Sequence, residues 1–394
     1  MSIGGSPKGS EVNLHGSLLT DTQVTPREMI GRARTELPTP ALVLDVDRMR
    51  ENIATMASWT SGRTSVRPHF KVHKCLEIAH EQMAAGAIGM TAATVWEARA
   101  LVRGGVDNIL IANEVAAPSK ASVVAELAGE ARITVAVDDP GVAERLSAAA
   151  SRAGTNIDVI IEVDVGMHRG GVRSIEEGRA LAQRLGDLPG ITHRGVMGYE
   201  GHVVTEPDRQ RRSDGVREAM DLLARHVDAL RADGCEIEIV SAGGTNTYDM
   251  TGADPRVTEL QAGTYAVMDA GYARLAPAFH PALSVLATAV SRHGTTAVLD
   301  CGTKAIAGDV SGPVPSVGRV RELHEEHMLL DVGADDPTPA VGDVLEVTVG
   351  YSGGTINLHD VYFVASGGEI VDVWQITARG PGWTGGPERP AGDR

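Results

Sequence analysis

The chain is poor in cysteine and has no long apolar run. Its 394 residues include three cysteines, Cys75, Cys235 and Cys301, which lie far apart and form no CxxC pair. This is not the cysteine density of a secreted disulfide scaffold, so a reducing cytoplasm is the expected compartment. No apolar stretch approaches the roughly 18 residues needed to span a bilayer, and the first residues lack a signal-peptide pattern. We therefore expect a cytoplasmic protein that does not enter the membrane.

Positive charge is also in short supply. Lys and Arg number 36 against 52 Asp and Glu, which gives a formal net charge of −16. Such a surface repels phosphate backbones and anionic lipid heads, so nucleic acid and membranes are not expected partners. With 394 residues and 42% hydrophobic content, the chain is long enough for one large and one smaller domain.

The pattern of apolar residues changes twice along the chain. Residues 1–35 are polar and rich in Gly, Ser and Thr, which predicts a flexible arm. From residue 36 to 277, short Val- and Ile-rich runs, beginning with ALVLDV, alternate with Ala-rich amphipathic stretches in about eight units. Runs without strict alternation are typical of parallel strands covered on both sides, so a (β/α)8 barrel of the TIM type is favoured over an open sheet. Residues 278–394 hold short β-type runs between Gly, Asp and Pro turns, which predicts an all-β domain.

One strand end has an unusual density of basic groups. The sequence RPHFKVHK, residues 67–74, ends an apolar strand and precedes a helix. In a parallel barrel that end is the mouth where active sites form. A lysine such as Lys71, between cations and apolar walls, has a lowered pKa and becomes nucleophilic. The alternative is a solvated basic loop.

Two further strand ends carry polar groups. Residues 165–172 follow the run DVIIEVD and place Arg169 at a strand end, where it reaches the site or pairs with a nearby carboxylate. The stretch SAGGTNT, residues 241–247, follows the run EIEIV, and its small residues let backbone N–H groups converge on a phosphate, unless it is a plain glycine-rich turn. A nucleophilic lysine, an arginine and a phosphate nest together describe a pocket for pyridoxal phosphate (PLP).

These motifs resemble the D-threonine aldolase and D-serine dehydratase group of fold-type III PLP enzymes, which is related more distantly to alanine racemase. The likeness covers most of the chain. Beside RPHFKVHK, it is carried by TPALVLD from residue 39, AATVWEA from 92, MHRGGV from 167, YEGH from 199, SAGGTNTY from 241, ELQAGTY from 259 and DCGTK from 300.

The resemblance implies a role for individual residues. Lys71 would hold PLP as a Schiff base, and Arg169 would contact its phenolic oxygen. Gln261 would meet the pyridine nitrogen; as a neutral partner it would not protonate the ring, leaving a weaker electron sink than an aspartate does. The phosphate would be bound at the glycine and threonine positions of two turns, and other residues would complete the cofactor pocket: Gly243, Gly244, Thr245, Gly263, Thr264, His69, Ser241, Tyr199 and His202. The resemblance also implies a homodimer in which one chain's β domain closes the other's barrel.

One family motif is absent. Metal-dependent members of the group carry Pro-x-His-x-Cys/Asp-x-Thr before Asn-Leu, whereas here the segment reads VGYSGGTINLHD from residue 349. With Thr355 and Asn357 fixing the register, the ligand positions hold Tyr351 and Gly353, which are not plausible ligands for a divalent ion. We therefore expect no metal. His359 and Asp360 are either replacement ligands or structural groups.

Several reactions fit such a pocket. The first hypothesis is a metal-independent lyase that cleaves the Cα–Cβ bond of a β-hydroxy-α-amino acid of D configuration, with His202, His73 and Tyr351 as candidate bases. Racemisation or epimerisation at Cα is the second. Dehydration ranks below cleavage because hydroxide leaves poorly without a metal ion. A non-catalytic PLP-binding protein is the remaining alternative, against which the complete β domain argues.

Overall fold

A computed structural model describes residues 25–333, 336–337 and 339–381. Most of the predicted arm, residues 1–24, lies outside the described residues. Its last part forms two short 3-10 turns, Pro26–Met29 and Arg34–Glu36. Met29 is buried there against Leu37 and Ile370, so this end of the arm packs on the second sheet described below.

The first strand, β1 (Ala41–Asp45), belongs to a different sheet from the strands that follow it. The next eight strands are parallel neighbours in the order β2-β9-β8-β7-β6-β5-β4-β3. Backbone hydrogen bonds from Phe70 N to Thr91 O and from Thr91 N to Pro68 O join the two ends of this sheet. The strands are β2 (Ser65–Val66), β3 (Met90–Ala92), β4 (Asn108–Ile111), β5 (Arg132–Val137), β6 (Ile157–Glu162), β7 (Ile191–Gly198), β8 (Ile239–Ala242) and β9 (Glu259–Leu260).

Helices surround these strands. Several begin at an Asp, Ser or Thr whose side chain accepts a backbone N–H of the first turn, as Asp45, Thr94, Asp139 and Ser174 do. None of the helices in the described part of the chain is both long and apolar enough to cross a bilayer. They are α1 (Val46–Thr60), α2 (Leu76–Ala84), α3 (Val95–Arg103), α4 (Pro118–Leu127), α5 (Pro140–Ala153), α6 (Ile175–Gly186), α7 (Arg209–Ala232), α8 (Tyr248–Thr251) and α9 (Ala270–Ala273).

The second sheet is mostly antiparallel. Its order is β13-β14-β11-β10-β1-β16-β17, and β15 pairs with β10 and β12. The elements are β10 (Leu283–His293), β11 (Thr296–Leu299), β12 (Val314–Pro315), β13 (Arg319–Leu323), β14 (Met328–Asp331), β15 (Val344–Thr348), α10 (Ser352–Ile356), β16 (Val361–Ser366) and β17 (Glu369–Gln375). The predicted fold class, a TIM-like barrel followed by a β domain, is confirmed.

One strand lies elsewhere than the sequence analysis placed it. The run ALVLDV was counted as the first barrel unit, but β1 runs between β10 and β16 in the second sheet. The first four residues of β1 are buried, as in a strand covered on both faces, so its apolar pattern is compatible with the centre of either sheet. Its pairing with strands far away in the sequence determines which sheet it joins. The division of the chain between residues 277 and 278 stays a prediction.

Candidate active site

A cavity of about 530 Å³ lies at the carboxyl ends of the barrel strands, within the size range of small-molecule sites. The β domain supplies part of its wall through Tyr351 and Gly353. The sequence analysis predicted many of its lining residues from segments spread along the chain, and the fold brings these together: His69, Lys71, Arg169, Tyr199, Gly243, Gly244, Thr245, Gln261, Gly263, Thr264 and Tyr351.

Lys71 follows β2 and exposes its side chain to the cavity. Its Nζ lies 6.0 Å from the centroid of the Tyr199 ring. Burial lowers the pKa of Lys71, and the charge of Arg169 lowers it further, while Glu97 acts in the opposite direction. A larger fraction of neutral amine follows, which is what a nucleophilic lysine requires.

Arg169 reaches the same space from the loop after β6. Its guanidinium carbon lies 5.8 Å from the centroid of the Tyr199 ring, and its Nη2 lies 3.6 Å from Glu162 Oε1. The loop is held by Asp164, whose Oδ1 accepts the backbone N–H groups of Gly166 and His168. The structure therefore combines both readings of the sequence, because Arg169 lines the cavity and also approaches a carboxylate.

A carboxyl pair lies behind Arg169. Burial, followed by a hydrogen bond to Glu114, raises the pKa of Glu162 to about 8. Glu114 Oε1 is buried and finds no hydrogen-bond partner among the described residues. At neutral pH Glu162 is therefore mostly protonated, so its carboxyl group can donate a hydrogen bond, which an ionised carboxylate cannot do.

The turn after β8 has the small residues that an anion site needs. Gly243 has φ 86°, in the region that favours glycine, and its N–H donates to Glu200 Oε2 at 3.2 Å. A Cβ at Gly244 would lie 3.5 Å from the Tyr199 ring, and one at Gly263 would lie 2.7 Å from the His69 carbonyl oxygen. A side chain at Gly263 would thus collide with the His69 backbone, whereas one at Gly244 would make an ordinary contact with the ring; Gly243, Gly244 and Gly263 all line the cavity.

His69 presents an unpaired polar atom to this region. Its Nδ1 is buried and has no hydrogen-bond partner among the described residues. Burial, helped by the charge of Lys71, lowers the pKa of His69 well below its usual value, so the ring is neutral. A lysine with a lowered pKa, an arginine, a glycine-lined space and an unpaired imidazole nitrogen together fit PLP.

Ser241, placed among the cofactor-binding residues by the sequence analysis, is fully buried behind the cavity wall. Its Oγ lies 2.8 Å from Glu259 Oε1 and 2.9 Å from Gln261 Nε2. Ser241 thus reaches the site only through Gln261, which lines the cavity.

Two candidate bases lie outside the cavity lining. His73 is fully buried, with its Nε2 3.1 Å from Gln82 Oε1, and burial lowers its pKa to about 4. His202 is exposed and packs over Gly166. Neither placement brings a basic nitrogen to the cavity wall, so their roles as bases stay predictions without support from the geometry.

Sequence reasoning missed four polar lining residues: Lys74, Glu97, Asn113 and Tyr272. Lys74 Nζ lies 3.6 Å from Glu97 Oε1 and 3.3 Å from Asn357 Oδ1. Its backbone has φ 50°, and its carbonyl oxygen accepts a hydrogen bond from Thr377 N at 2.9 Å. A non-glycine residue in the left-handed region is uncommon, but φ angles are not readable from the sequence.

The family's metal position holds groups of another kind. The hydroxyl of Tyr351 lies over Gly353, where an added Cβ would be 3.4 Å from it. His359 Nε2 lies 2.7 Å from the Ala305 carbonyl oxygen, and Asp360 pairs with Arg379, so both are engaged away from the cavity. The described residues contain no group of three or more His, Cys, Asp and Glu side chains suited to a metal ion. The residues present do not fit a divalent ion.

Comparison with known proteins agrees with this geometry. The family model for the alanine racemase N-terminal domain matches residues 44–270, and a model for a serine dehydratase domain matches residues 282–365. The chain is 36% identical over 360 residues to D-threonine aldolase from an Arthrobacter species, covering 89% of this chain and 95% of that one. It is 33% identical over 374 residues to 3-hydroxy-D-aspartate aldolase of Paracoccus denitrificans, covering 90% and 95%. The crystal structure of D-threonine aldolase from Filomicrobium marinum superposes with a TM-score of 0.86 at 36% identity, over 89% and 98% of the two chains.

Proposed function

The chain belongs to the alanine racemase N-terminal domain family, in the branch of fold-type III PLP enzymes that contains D-threonine aldolase, and on that basis we propose a specific reaction. The protein would be a PLP-dependent lyase that cleaves the Cα–Cβ bond of a β-hydroxy-α-amino acid of D configuration, giving an aldehyde and a smaller amino acid. The observation that carries the proposal is Lys71, an amine with a lowered pKa in a cavity that also holds Arg169 and a glycine-lined turn.

The described residues suit each part of the cofactor. Lys71 would form the covalent bond, Arg169 would face the phenolic oxygen, and the turns at Gly243 and Gly263 would receive the phosphate. Gln261 would meet the ring nitrogen. When bound, PLP supplies an electron sink for the electron pair of a bond broken at the substrate's Cα.

Cleavage requires a proton acceptor for the substrate's β-hydroxyl group. Burial and the nearby Asp269 and Asp309 raise the pKa of Tyr351, so its phenol stays neutral and donates a hydrogen bond instead of accepting a proton. When the substrate's amino group has taken the place of Lys71, the freed amine would lie in the cavity with a lowered pKa, so it would be the better acceptor at neutral pH. We therefore assign Tyr351 to orient the β-hydroxyl oxygen and Lys71 to accept its proton. The bond electrons stay with the Cα fragment, which takes up a proton to give the smaller amino acid.

We further propose that this reaction runs without a metal ion. The support is the replacement of both ligand positions by Tyr351 and Gly353, since losing even one ligand weakens a metal site severely. His359 and Asp360 already have other partners. A hydrogen bond from Tyr351 would then stabilise negative charge on the β-hydroxyl oxygen, as a metal ion does in the metal-dependent relatives.

Two further expectations remain proposals. We propose a homodimer, because exposed apolar side chains flank the β-domain segment that carries Tyr351: Val310, Val314 and Leu358, 55%, 52% and 40% exposed. Light scattering that found a fully active monomer would contradict it. We also propose a cytoplasmic location, which is supported by the free thiols of Cys75, Cys235 and Cys301.

The reaction is tested by incubating the PLP-loaded protein with a panel of D- and L-amino acids, with and without a β-hydroxyl group. Release of an aldehyde from D-β-hydroxy amino acids is the expected result. Inverted enantiomers would show a racemase instead. Production of 2-keto acids with ammonia would show a dehydratase, the activity for which the second matching family model is named. A protein that binds PLP but converts none of the panel would be a binding protein. The Lys71→Ala variant is the control for non-enzymatic cleavage by free PLP.

A further inference from the structure

A chain of polar side chains runs from the barrel interior to the active-site cavity. Arg67 Nε and Nη2 lie 3.0 and 2.9 Å from the two carboxylate oxygens of Glu259, and both side chains are buried. Ser241 bridges Glu259 and Gln261 at 2.8 and 2.9 Å. We call Arg67, Glu259, Ser241 and Gln261 the polar relay. Of its four members, Gln261 alone lines the cavity.

The backbone holds the polar relay in register. Ser241 of β8 lies directly opposite Glu259 of β9 in the parallel ladder. Arg67 N donates to the carbonyl oxygen of Leu260 at 2.8 Å, and Gln261 N donates to that of Ala242 at 3.0 Å. The side chains therefore meet because three adjacent strands end at the same level of the barrel.

Hydrogen-bond chemistry fixes the direction of every bond in the polar relay. Arg67 can only donate, and Glu259, ionised against it, can only accept. Ser241 must therefore donate its hydroxyl proton to Glu259, which leaves an oxygen lone pair to accept a bond from the amide of Gln261. The NH₂ group of Gln261 thus points to Ser241. An amide assignment is usually ambiguous, but here the neighbouring charges determine it.

The other side of the amide is then an acceptor. Gln261 Oε1 has no hydrogen-bond partner among the described residues. The atom is not fully buried, so it is open to the cavity that Gln261 lines. An unprotonated pyridine nitrogen is itself an acceptor and would face this oxygen with no proton between them. A protonated ring nitrogen would donate to it.

We propose that the polar relay makes Gln261 a hydrogen-bond acceptor, so that the ring nitrogen of bound PLP keeps its proton. The inference rests on the proposed function, in which Gln261 meets that nitrogen. It reverses the sequence expectation that a neutral glutamine leaves the ring unprotonated. A protonated ring withdraws electrons more strongly, so cleavage at Cα gains a better electron sink.

Other charges around the cavity do not remove this effect. The ion pair of Arg67 and Glu259 sums to zero, so the polar relay acts through hydrogen-bond direction and not through net charge. Arg169 disfavours another positive charge, and Glu162 beside it offsets that charge only in part at pH 8, because its pKa is raised to about 8. Lys71 has a lowered pKa and the carboxyl group of Glu97 nearby. His69 adds no charge, since its pKa is well below the usual value.

The test is the ¹⁵N NMR shift of PLP labelled at its ring nitrogen and bound to the protein at pH 8. Free labelled PLP below and above its ring pKa gives the protonated and unprotonated limits. In the wild type the resonance should lie near the protonated limit. A bound cofactor whose resonance lies at the unprotonated limit overturns the inference but leaves the PLP assignment intact. Failure to bind PLP at all would instead contradict the proposed function.

Variants then test whether the polar relay is the cause. Ser241→Ala keeps the buried ion pair but frees the amide to turn, so the resonance should move toward the unprotonated limit. Gln261→Met should move it in the same direction without disturbing the buried residues. Gln261→Glu, which can only accept when ionised, should hold it at the wild-type position. An unchanged resonance in Ser241→Ala or Gln261→Met, or a Gln261→Glu resonance at the unprotonated limit, refutes the role of the relay.

Discussion

Replacement of Asp269 by asparagine should weaken the join between the barrel and the β domain and slow catalysis. Asp269 is fully buried just before α9. Its Oδ2 accepts from both the backbone N and the Oγ of Ser352, each at 2.8 Å, and its Oδ1 accepts from Tyr272 N at 2.9 Å. Ser352 follows Tyr351, and Tyr272 also lines the cavity. One carboxylate thus positions two cavity tyrosines from different domains.

The size of the effect follows from these three bonds. Asparagine has one acceptor oxygen, so its NH₂ must face either Tyr272 N–H or the two donors of Ser352. The loss of at least one hydrogen bond to a charged group costs about 1.5–3 kcal/mol. Burial raises the pKa of Asp269, so a neutral amide is easier to bury and returns part of that loss. We expect a net loss of about 1–2 kcal/mol in the free energy of unfolding. If between half and all of this acts on the position of Tyr351, kcat falls about two- to thirtyfold.

Urea unfolding and steady-state kinetics on the PLP-loaded protein measure the two effects. Asp139→Asn is the matched control, because Asp139 is also the N-cap of a helix, accepting from Val142 N at 3.0 Å, and lies away from the cavity lining. Asparagine caps helices about as well as aspartate, so this control should be nearly neutral. If Asp269→Asn proves as mild as Asp139→Asn in both stability and kcat, the positioning role of Asp269 is refuted.

Three other outcomes are expected. Lys71→Ala should abolish the visible absorbance of bound PLP, whereas Lys74→Ala should keep it; borohydride labelling of Lys74 would contradict this assignment. Exhaustive EDTA treatment should leave activity unchanged, and Tyr351→Phe should lower kcat by about a hundred- to a thousandfold, as loss of an oriented donor does; activity lost with EDTA and restored by one ion would reverse the metal proposal. The pKa of Glu162 is raised from 4.5 in the unfolded chain to about 8 in the folded protein, so protonation of Glu162 favours folding. The stability that protonated Glu162 contributes is complete below about pH 4.5 and is lost as the pH rises through about 8. Urea unfolding at pH 6 and pH 9 should show a smaller difference in Glu162→Gln than in the wild type; equal differences would contradict the assignment.

The fold class was predictable because the burial of a strand or helix is visible in the apolar pattern of its own residues. Strands such as β6, buried along their whole length, read as continuous apolar runs, and the helices between them show Ala-rich amphipathic patterns. The sheet to which a strand belongs is not visible in that local pattern. β1 has the apolar pattern of a barrel strand, but it pairs with β10 and β16, which lie more than 200 residues further along the chain.

The site was predictable where residues follow strand ends, since these ends converge on one side of a parallel barrel. Lys71, Arg169 and Gly243 all came from that rule together with the family resemblance. The rule does not say which way successive side chains point, so it could not separate Lys71 from His73, which the fold buries against Gln82. The polar relay was also hidden, since Arg67 and Glu259 are 192 positions apart.

The two changes at the family's metal position depend on each other, which supports reading them as a single adaptation. The ring of Tyr351 lies over residues 353 and 354, where an added Cβ would approach Oη to 3.4 Å at Gly353 and Cδ1 to 3.1 Å at Gly354. A ligand side chain at 353 would therefore compete for space with the phenol, and without that phenol the glycines would leave an unfilled gap beside the cavity. Restoring one ligand alone should thus neither bind an ion nor keep the phenol in place. Tyr351→His with Gly353→Cys is the smallest change that could restore a metal site, and zinc titration of the single and double variants would reveal whether the two positions act together.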